Sequence, residues 1–262
     1  MLSEESRNIK LLIAYDGTDF NGWQRQDSRE KDGSPETART VQGVIEKALA
    51  KTHGQAITLT GCGRTDAGVH AAGQVANFHS NMKSVPADRF CHALNSLLPK
   101  DARILESSEV PGSFHARFSA SARTYRYHFI RRRLLPHEER YNLYLRRFPR
   151  LDILNAYGRL LLGETNCAIF AGAGDSSLTE GKSTNRYVYS CQFFVEGERL
   201  IFEIRANAFL RNMVRSVAGT FLSYEEKNEP PEKLKEIIAS GERAMAGPTL
   251  PPQGLFLWKV DY

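Results

Sequence analysis

From Ile9 to Val110 the chain alternates strand-like and amphipathic runs in a fixed order, which constrains the fold more than any single residue does. Ile9–Tyr15 is a short apolar run of buried-strand length. Val41–Thr52 places Val44, Ile45, Ala48 and Leu49 on one helical face. Ile57–Thr60 and Gly73–Phe78 are strand-like again. Pro86–Leu98 begins with a proline suited to a first helical turn and carries Phe90, Leu94, Leu97 and Leu98 as a stripe. Ala102–Val110 completes β-α-β-β-α-β, the ferredoxin-like order.

The second half has a similar rhythm. Arg123–Arg132 reads as a strand and Leu151–Gly163 as a helix closed by glycine. Arg186–Glu196 and Arg199–Ala206 form a hairpin around Glu196-Gly197-Glu198. Ala208–Tyr224 reads as a long helix with Phe209, Met213, Val217 and Phe221 on its apolar stripe, where Arg211 and Arg215 share an adjoining face. Pro231–Ser240 is a short helix and Leu255–Asp261 a last strand. The expected class is α+β, with two ferredoxin-like α/β halves built on mixed or antiparallel sheets. The hinge falls near Pro111–Ala120, and the repeat is one of architecture without residue-level duplication.

Within this frame the octet Gly63-Arg64-Thr65-Asp66-Ala67-Gly68-Val69-His70 stands where one strand gives way to a loop before the next begins. A carboxylate there can be exposed in a cleft and still be held by a cation, on a rigid scaffold. Glycine and aspartate are also turn residues, so the octet by itself is equally a tight turn.

Charge separates the two readings. From Arg117 to Arg150 there are ten arginines, no lysine and two acids, Glu138 and Glu139, a local charge of +8 in a chain of net +5. Tyr125, Tyr127, Phe129, Tyr141, Tyr144 and Phe148 are interleaved with them. Guanidinium forks grip phosphates and aromatic faces stack on bases, so the segment has the make-up of an RNA contact. Labour then divides between residues 1–115, carrying the candidate catalytic Asp66, and residues 116–262, carrying the basic segment, with a central catalytic cleft.

Other chemistries find little support. Cys62, Cys91, Cys167 and Cys191 lie far apart without C-x-x-C, and no H-x-x-x-H pair occurs, so neither a metal site nor a disulfide scaffold is expected. Gly181-Lys182-Ser183-Thr184 lacks the upstream glycine of a phosphate loop, where Ser176 stands instead, and is followed by a strand. Ala171-Gly172-Ala173-Gly174 has no dinucleotide fingerprint around it and reads as a flexible loop. Leu11-Leu12-Ile13-Ala14 is too short for a signal-peptide core or a membrane span, so a cytoplasmic protein is expected. Asp27–Thr40, with seven charged residues, reads as a surface loop.

The octet resembles the catalytic motif of the TruA family of tRNA pseudouridine synthases. Further segments agree in order: Tyr15-Asp16-Gly17 with Gly22-Trp23-Gln24-Arg25-Gln26, Val41-Gln42, Phe114-His115-Ala116-Arg117-Phe118-Ser119-Ala120, and Arg123-Thr124-Tyr125-Arg126-Tyr127. The series continues with Ala206–Arg215 and ends with Gly254-Leu255-Phe256-Leu257. The resemblance covers nearly the whole chain. It implies isomerisation of uridine to pseudouridine at positions 38, 39 and 40 of the tRNA anticodon stem-loop, by a homodimer without metal or organic cofactor. It implies Asp66 as the catalytic aspartate, Tyr125 as a contact to the target base, Arg211 as the partner of the aspartate, and Arg64 as an RNA or active-site contact. Two departures stand out: Asp27–Thr40 is longer than the usual connection, and Phe256 occupies a position where tyrosine is frequent. A non-catalytic RNA-binding protein explains the arginines but leaves Asp66 without a task. A glycosidic-bond hydrolase normally needs a second carboxylate, and no second acid motif is evident.

Overall fold

The computed structural model describes residues 6–25, the backbone of 28–29 and 35–36, and residues 38–262. Part of the Asp27–Thr40 segment, namely Asp27, residues 30–34 and residue 37, lies outside the described residues. The chain divides into two compact units, Met1–Ser121 with Leu257–Tyr262, and Ala122–Phe256. The boundary falls after Ser121 rather than after residue 115, and the last residues return to the first unit. The Ser121 N–H donates to the Asp261 carbonyl there at 2.8 Å.

The first unit runs β1 (Arg7–Tyr15), β2 (Ser28–Arg29), β3 (Pro35–Glu36), α1 (Val41–His53), β4 (Thr60–Gly61), β5 (His70–Ser80), α2 (Phe90–Asn95) and β6 (Ala102–Val110). β2 and β3 pair only with each other. β1 is antiparallel to both β5, with Ile9 opposite Phe78, and β6, with Leu11 opposite Ser107. β4 is antiparallel to β5. The order β6-β1-β5-β4 is the arrangement that β-α-β-β-α-β predicts. Ile9, Leu11 and Ile13 alternate inward to meet Ile45, Leu49, Phe78, Phe90 and Leu94, all fully buried.

Two elements are shorter here than the sequence suggests, because side chains from neighbours satisfy the backbone. The expected strand Ile57–Thr60 contracts to Thr60–Gly61: the Leu59 N–H donates to Oε1 of Glu46 at 3.0 Å, and its carbonyl accepts from Gln42 at 3.0 Å. The expected helix Pro86–Leu98 is a 3-10 turn at Ala87–Arg89 followed by α2. Asn95 ends α2 by bonding the backbone of Ile104 through both ends of its amide, at 2.8 and 2.9 Å.

The second unit runs β7 (Ala122–Ile130), β8 (Leu143–Tyr144), α3 (Leu151–Leu160), β9 (Gly163–Asn166), the single turn α4 (Ser176–Thr179), β10 (Asn185–Glu196), β11 (Arg199–Ala206), α5 (Met213–Glu226) and α6 (Pro231–Ser240). Its sheet order is β7-β11-β10-β9, antiparallel throughout, with β8 parallel to the end of β7. The His128 N–H donates to the Gly254 carbonyl at 2.9 Å, where the chain enters β12 (Leu255–Asp261). Tyr127, Phe129, Phe193 and Phe202 stack in series, and Phe221 of α5 meets Phe202 edge-on, to make one buried aromatic core. Burial pushes the Cys167 thiol up to about 12, as expected of an inert core cysteine.

Here too the sequence reading needs correction. α3 stops at Leu160, and Gly163, at φ 85°, opens β9 instead of closing the helix. The expected helix Ala208–Tyr224 begins only at Met213, because Asn212 adopts φ 61° in the left-handed region that interrupts a right-handed helix. Arg211 therefore precedes the helix, and Arg211 and Arg215 do not share a helical face.

Candidate active site

Asp66 sits in the loop between β4 and β5, half-buried. The loop is gripped from two sides. The turn Asp66-Ala67-Gly68-Val69 closes through a Val69 N–H bond to the Asp66 carbonyl at 3.2 Å, with Gly68 at φ 77°. On one side, the segment following β1 runs along it: the Trp23 N–H donates to the Thr65 carbonyl at 3.1 Å and the Gly68 N–H to the Phe20 carbonyl at 3.3 Å. The Tyr15 hydroxyl and Thr65 Oγ1 bond at 2.8 Å in the interior, and burial raises the Tyr15 pKa, so its proton stays in place.

Backbones approach so closely here that glycine is required. A Cβ on Gly17 would stand 2.0 Å from the Val69 carbonyl oxygen, and one on Gly22, at φ 86°, would stand 2.6 Å from that of Thr65. Gly61 lies against the Trp23 indole, where a Cβ would come within 2.5 Å of the ring. The Tyr-Asp-Gly and Gly-Trp strings thus serve the octet directly.

On the other side, polar residues of β5 brace the loop. Gln74, fully buried, donates to the Gly63 carbonyl at 3.0 Å and accepts from the Cys62 thiol at 2.8 Å. His70, also fully buried, accepts the Gly17 N–H on Nδ1 at 3.0 Å, and Asp16 Oδ1 lies 3.2 Å from the same nitrogen. Sequence reasoning passed over Gln74 and His70. Their signal was present, since two polar residues interrupt the apolar face of a strand that must be buried. Arg64 is exposed, and its Nε donates to Gln24 Oε1 at 3.3 Å. Gln24 in turn bonds Gln42 at 2.8 Å, which ties the Gly-Trp-Gln string to the Val-Gln pair that opens α1.

Tyr125 and Arg211 belong to the second unit. Tyr125 lies mid-strand on β7, opposite Ile204, nearly buried, with its ring edge-on to Phe209 at 4.9 Å. Arg211 is exposed, and its backbone is pinned. Its N–H donates to Asp175 Oδ2 at 2.5 Å, its carbonyl accepts from Gly172 at 2.7 Å, and its guanidinium donates to the Ala173 carbonyl at 3.3 Å. Burial alone would raise the Asp175 carboxyl, but the N–H groups of Arg211 and Ser177 outweigh it and hold the pKa below the ordinary value. The Ala171–Gly174 run, expected as a flexible loop, is this brace. A Cβ on Gly172 would stand 2.5 Å from the Asn212 amide.

The arginine-rich segment is partly consumed by the fold. Arg126 pairs with Glu203 at 2.7 Å and Arg132 with Glu138 and Glu198 at 2.7 and 3.0 Å. Arg147 and Arg150 both clasp Glu225, whose side chain is 1% exposed. Arg131, Arg133 and Arg146 remain exposed. Among the described residues no three His, Cys, Asp or Glu side chains gather where a metal ion could be held.

Comparison with known proteins places the chain among named relatives. A model of the tRNA pseudouridine synthase family matches residues 11–119 and 159–262. The chain is 48% identical over 262 residues to tRNA pseudouridine synthase A of Treponema denticola, covering 100% of this chain and 95% of that protein. It is 46% identical over 243 residues to the protein of that name from Treponema pallidum, covering 92% and 84%. With the Brachyspira hyodysenteriae tRNA pseudouridine synthase A it shares 43% identity over 258 residues, covering 97% and 98%. These matches, across most of an α+β chain, show that it belongs to the tRNA pseudouridine synthase family.

Proposed function

We propose that this protein isomerises uridine to pseudouridine at positions 38, 39 and 40 of the tRNA anticodon stem-loop, with Asp66 as the catalytic carboxylate. The observation that carries the proposal is the loop itself: Asp66 is half-buried on a turn whose flanks are fixed by Tyr15, Gly17, Gly22 and Gln74. A carboxylate held in this way needs no rearrangement to meet its substrate.

The reaction breaks the N1–C1′ bond, turns the base, and joins C5 to C1′, with the C5 proton leaving and a proton returning to N1. Nothing is oxidised and no atom is lost. A stacked uridine must first be everted, at a cost of a few kcal/mol. In this reading Tyr125 contacts the everted uracil and its stacking returns about 1–3 kcal/mol. Arg211 and Arg64 contribute positive charge, Arg211 toward the aspartate and Arg64 toward the RNA. The first unit carries the catalytic acid and the second the basic RNA-binding segment. The working form is a cytoplasmic homodimer. Free uracil and an abasic sugar are not expected, since the detached base is recaptured.

Asp66→Asn tests the proposal, because it keeps the size and shape of the side chain and removes the charge. Pseudouridine mapping on unmodified tRNA should show conversion lost, while filter binding shows tRNA affinity within a few-fold of the parent protein. Full conversion by the variant would overturn the assignment, and release of free uracil by the parent protein would replace isomerisation with hydrolysis.

A further inference from the structure

The Phe114–Ala120 string has no task in the reaction just described, and the structure gives it an unusual shape. Phe118 is 76% exposed, the most exposed large apolar side chain among the described residues. Isolated exposed hydrophobics are common on surfaces, and exposure alone carries nothing. This one is held out by a rigid frame. The His115 N–H donates to Ser119 Oγ at 3.0 Å and the Ser119 N–H to the His115 carbonyl at 2.9 Å. The N–H groups of Arg117 and Phe118 both reach Nδ1 of His115, at 3.2 and 3.3 Å. Ala116 is fully buried beneath, with its N–H on Asn77 Oδ1 at 2.9 Å and its carbonyl on the Tyr262 hydroxyl at 2.8 Å.

The ring thus sits on a preorganised loop. The His115 imidazole lies 4.4 Å from it at an interplanar angle of 32°, and the Arg117 guanidinium lies 5.6 Å from its centroid. No acidic residue stands between Glu109 and Glu138 in the sequence. An aromatic face and a flanking cation are what a nucleobase beside a phosphate requires.

We propose that Phe118 is a stacking platform for an unpaired base of the tRNA substrate, with Arg117 beside it for the adjoining phosphate. The proposal rests on the family reading and adds a specific RNA contact to it. Because the loop is already ordered, binding costs little conformational entropy at this point.

The test uses the full chain and unmodified tRNA. The parent protein is assayed first; absence of pseudouridine there would defeat the family reading, whereas this inference is read from differences between variants. Phe118→Ala should weaken tRNA binding between about 5-fold and about 100-fold. Phe118→Trp should restore it and Phe118→Leu should not, because stacking needs a π face. The slope of affinity against salt should stay at the parent value in Phe118→Ala and become shallower in Arg117→Ala, since only the latter removes a phosphate contact. Circular dichroism and thermal unfolding check that the exposed substitution leaves the fold intact. Parent-like affinity in Phe118→Ala would overturn the proposal. So would full rescue by leucine, or a change of oligomeric state on size exclusion, which would assign the ring to a second copy of the chain.

Discussion

Gly17→Ala tests whether the Asp66 loop works by fixed geometry. The added Cβ would stand 2.0 Å from the Val69 carbonyl oxygen and 2.5 Å from its carbon, whereas real Cβ atoms essentially never come within 3.0 Å of such neighbours. The shortfall is about 1 Å, and the obstacle is backbone on both sides, so no side chain can swing away to relieve it. Val69 is tied to the Asp66 carbonyl by its N–H, and Gly17 is tied to His70 by its own. The displacement therefore passes into the turn that bears the carboxylate. A misplacement of about 1 Å at a reacting group costs on the order of 100-fold in rate. Overpacking of this kind costs about 1–3 kcal/mol of stability. Single-turnover conversion of saturating tRNA should fall by about that factor while tRNA affinity changes little. Gly112→Ala is the control, because nothing lies within 4 Å of a Cβ there. Parent-like turnover in Gly17→Ala, or an equal loss in Gly112→Ala, would refute the reasoning.

Substitutions at two other positions probe separate parts of the molecule. Glu225 is buried, which by itself raises its pKa, but the donors of Arg147 and Arg150 outweigh burial and hold it below the ordinary carboxylate range. Its contribution to stability is therefore present above the unfolded-state pKa and is lost as pH falls through the folded-state value. Glu225→Gln should lower stability by about 1–3 kcal/mol near neutral pH, and the gap to the parent should narrow in acid, as followed by urea unfolding across pH. Tyr125→Phe keeps the ring edge-on to Phe209 and should retain most conversion, whereas Tyr125→Ala should lose it. Equal losses in both would transfer the role from the ring to the hydroxyl.

Much of the fold was legible because periodicity and order are local properties. Ala102–Val110, Arg199–Ala206, Pro231–Ser240 and Leu255–Asp261 have the boundaries the sequence suggested. The failures came where distant side chains competed for the backbone. Leu59 reads as strand, but Glu46 and Gln42 on α1 satisfy both its polar groups. Asn212 lies within a helical pattern, and neither propensity nor spacing announces its left-handed turn. Around the candidate site, the motif pointed to the Asp66 loop, while the braces that hold that loop were not legible. Gln74 and His70 act through partners on other segments, and those pairings exist only once β5 lies beside β1 and the β4–β5 loop. Ion pairing within the basic segment was hidden for a similar reason: composition counts every guanidinium alike, whereas Glu203, Glu138, Glu198 and Glu225 pair with several of them.

The last strand carries a consequence for biosynthesis. β12 hydrogen-bonds to β5, and Leu257–Tyr262 complete the unit that Met1–Ser121 begins. A ribosome makes those residues only after the whole of Ala122–Phe256. Throughout that interval part of one margin of β5 has no neighbour to satisfy its amides and carbonyls, which leaves a template for stray pairing with other nascent chains. Closing that margin demands contact between segments separated by the whole of Ala122–Phe256, so the unit begun first cannot finish folding until the other has been made.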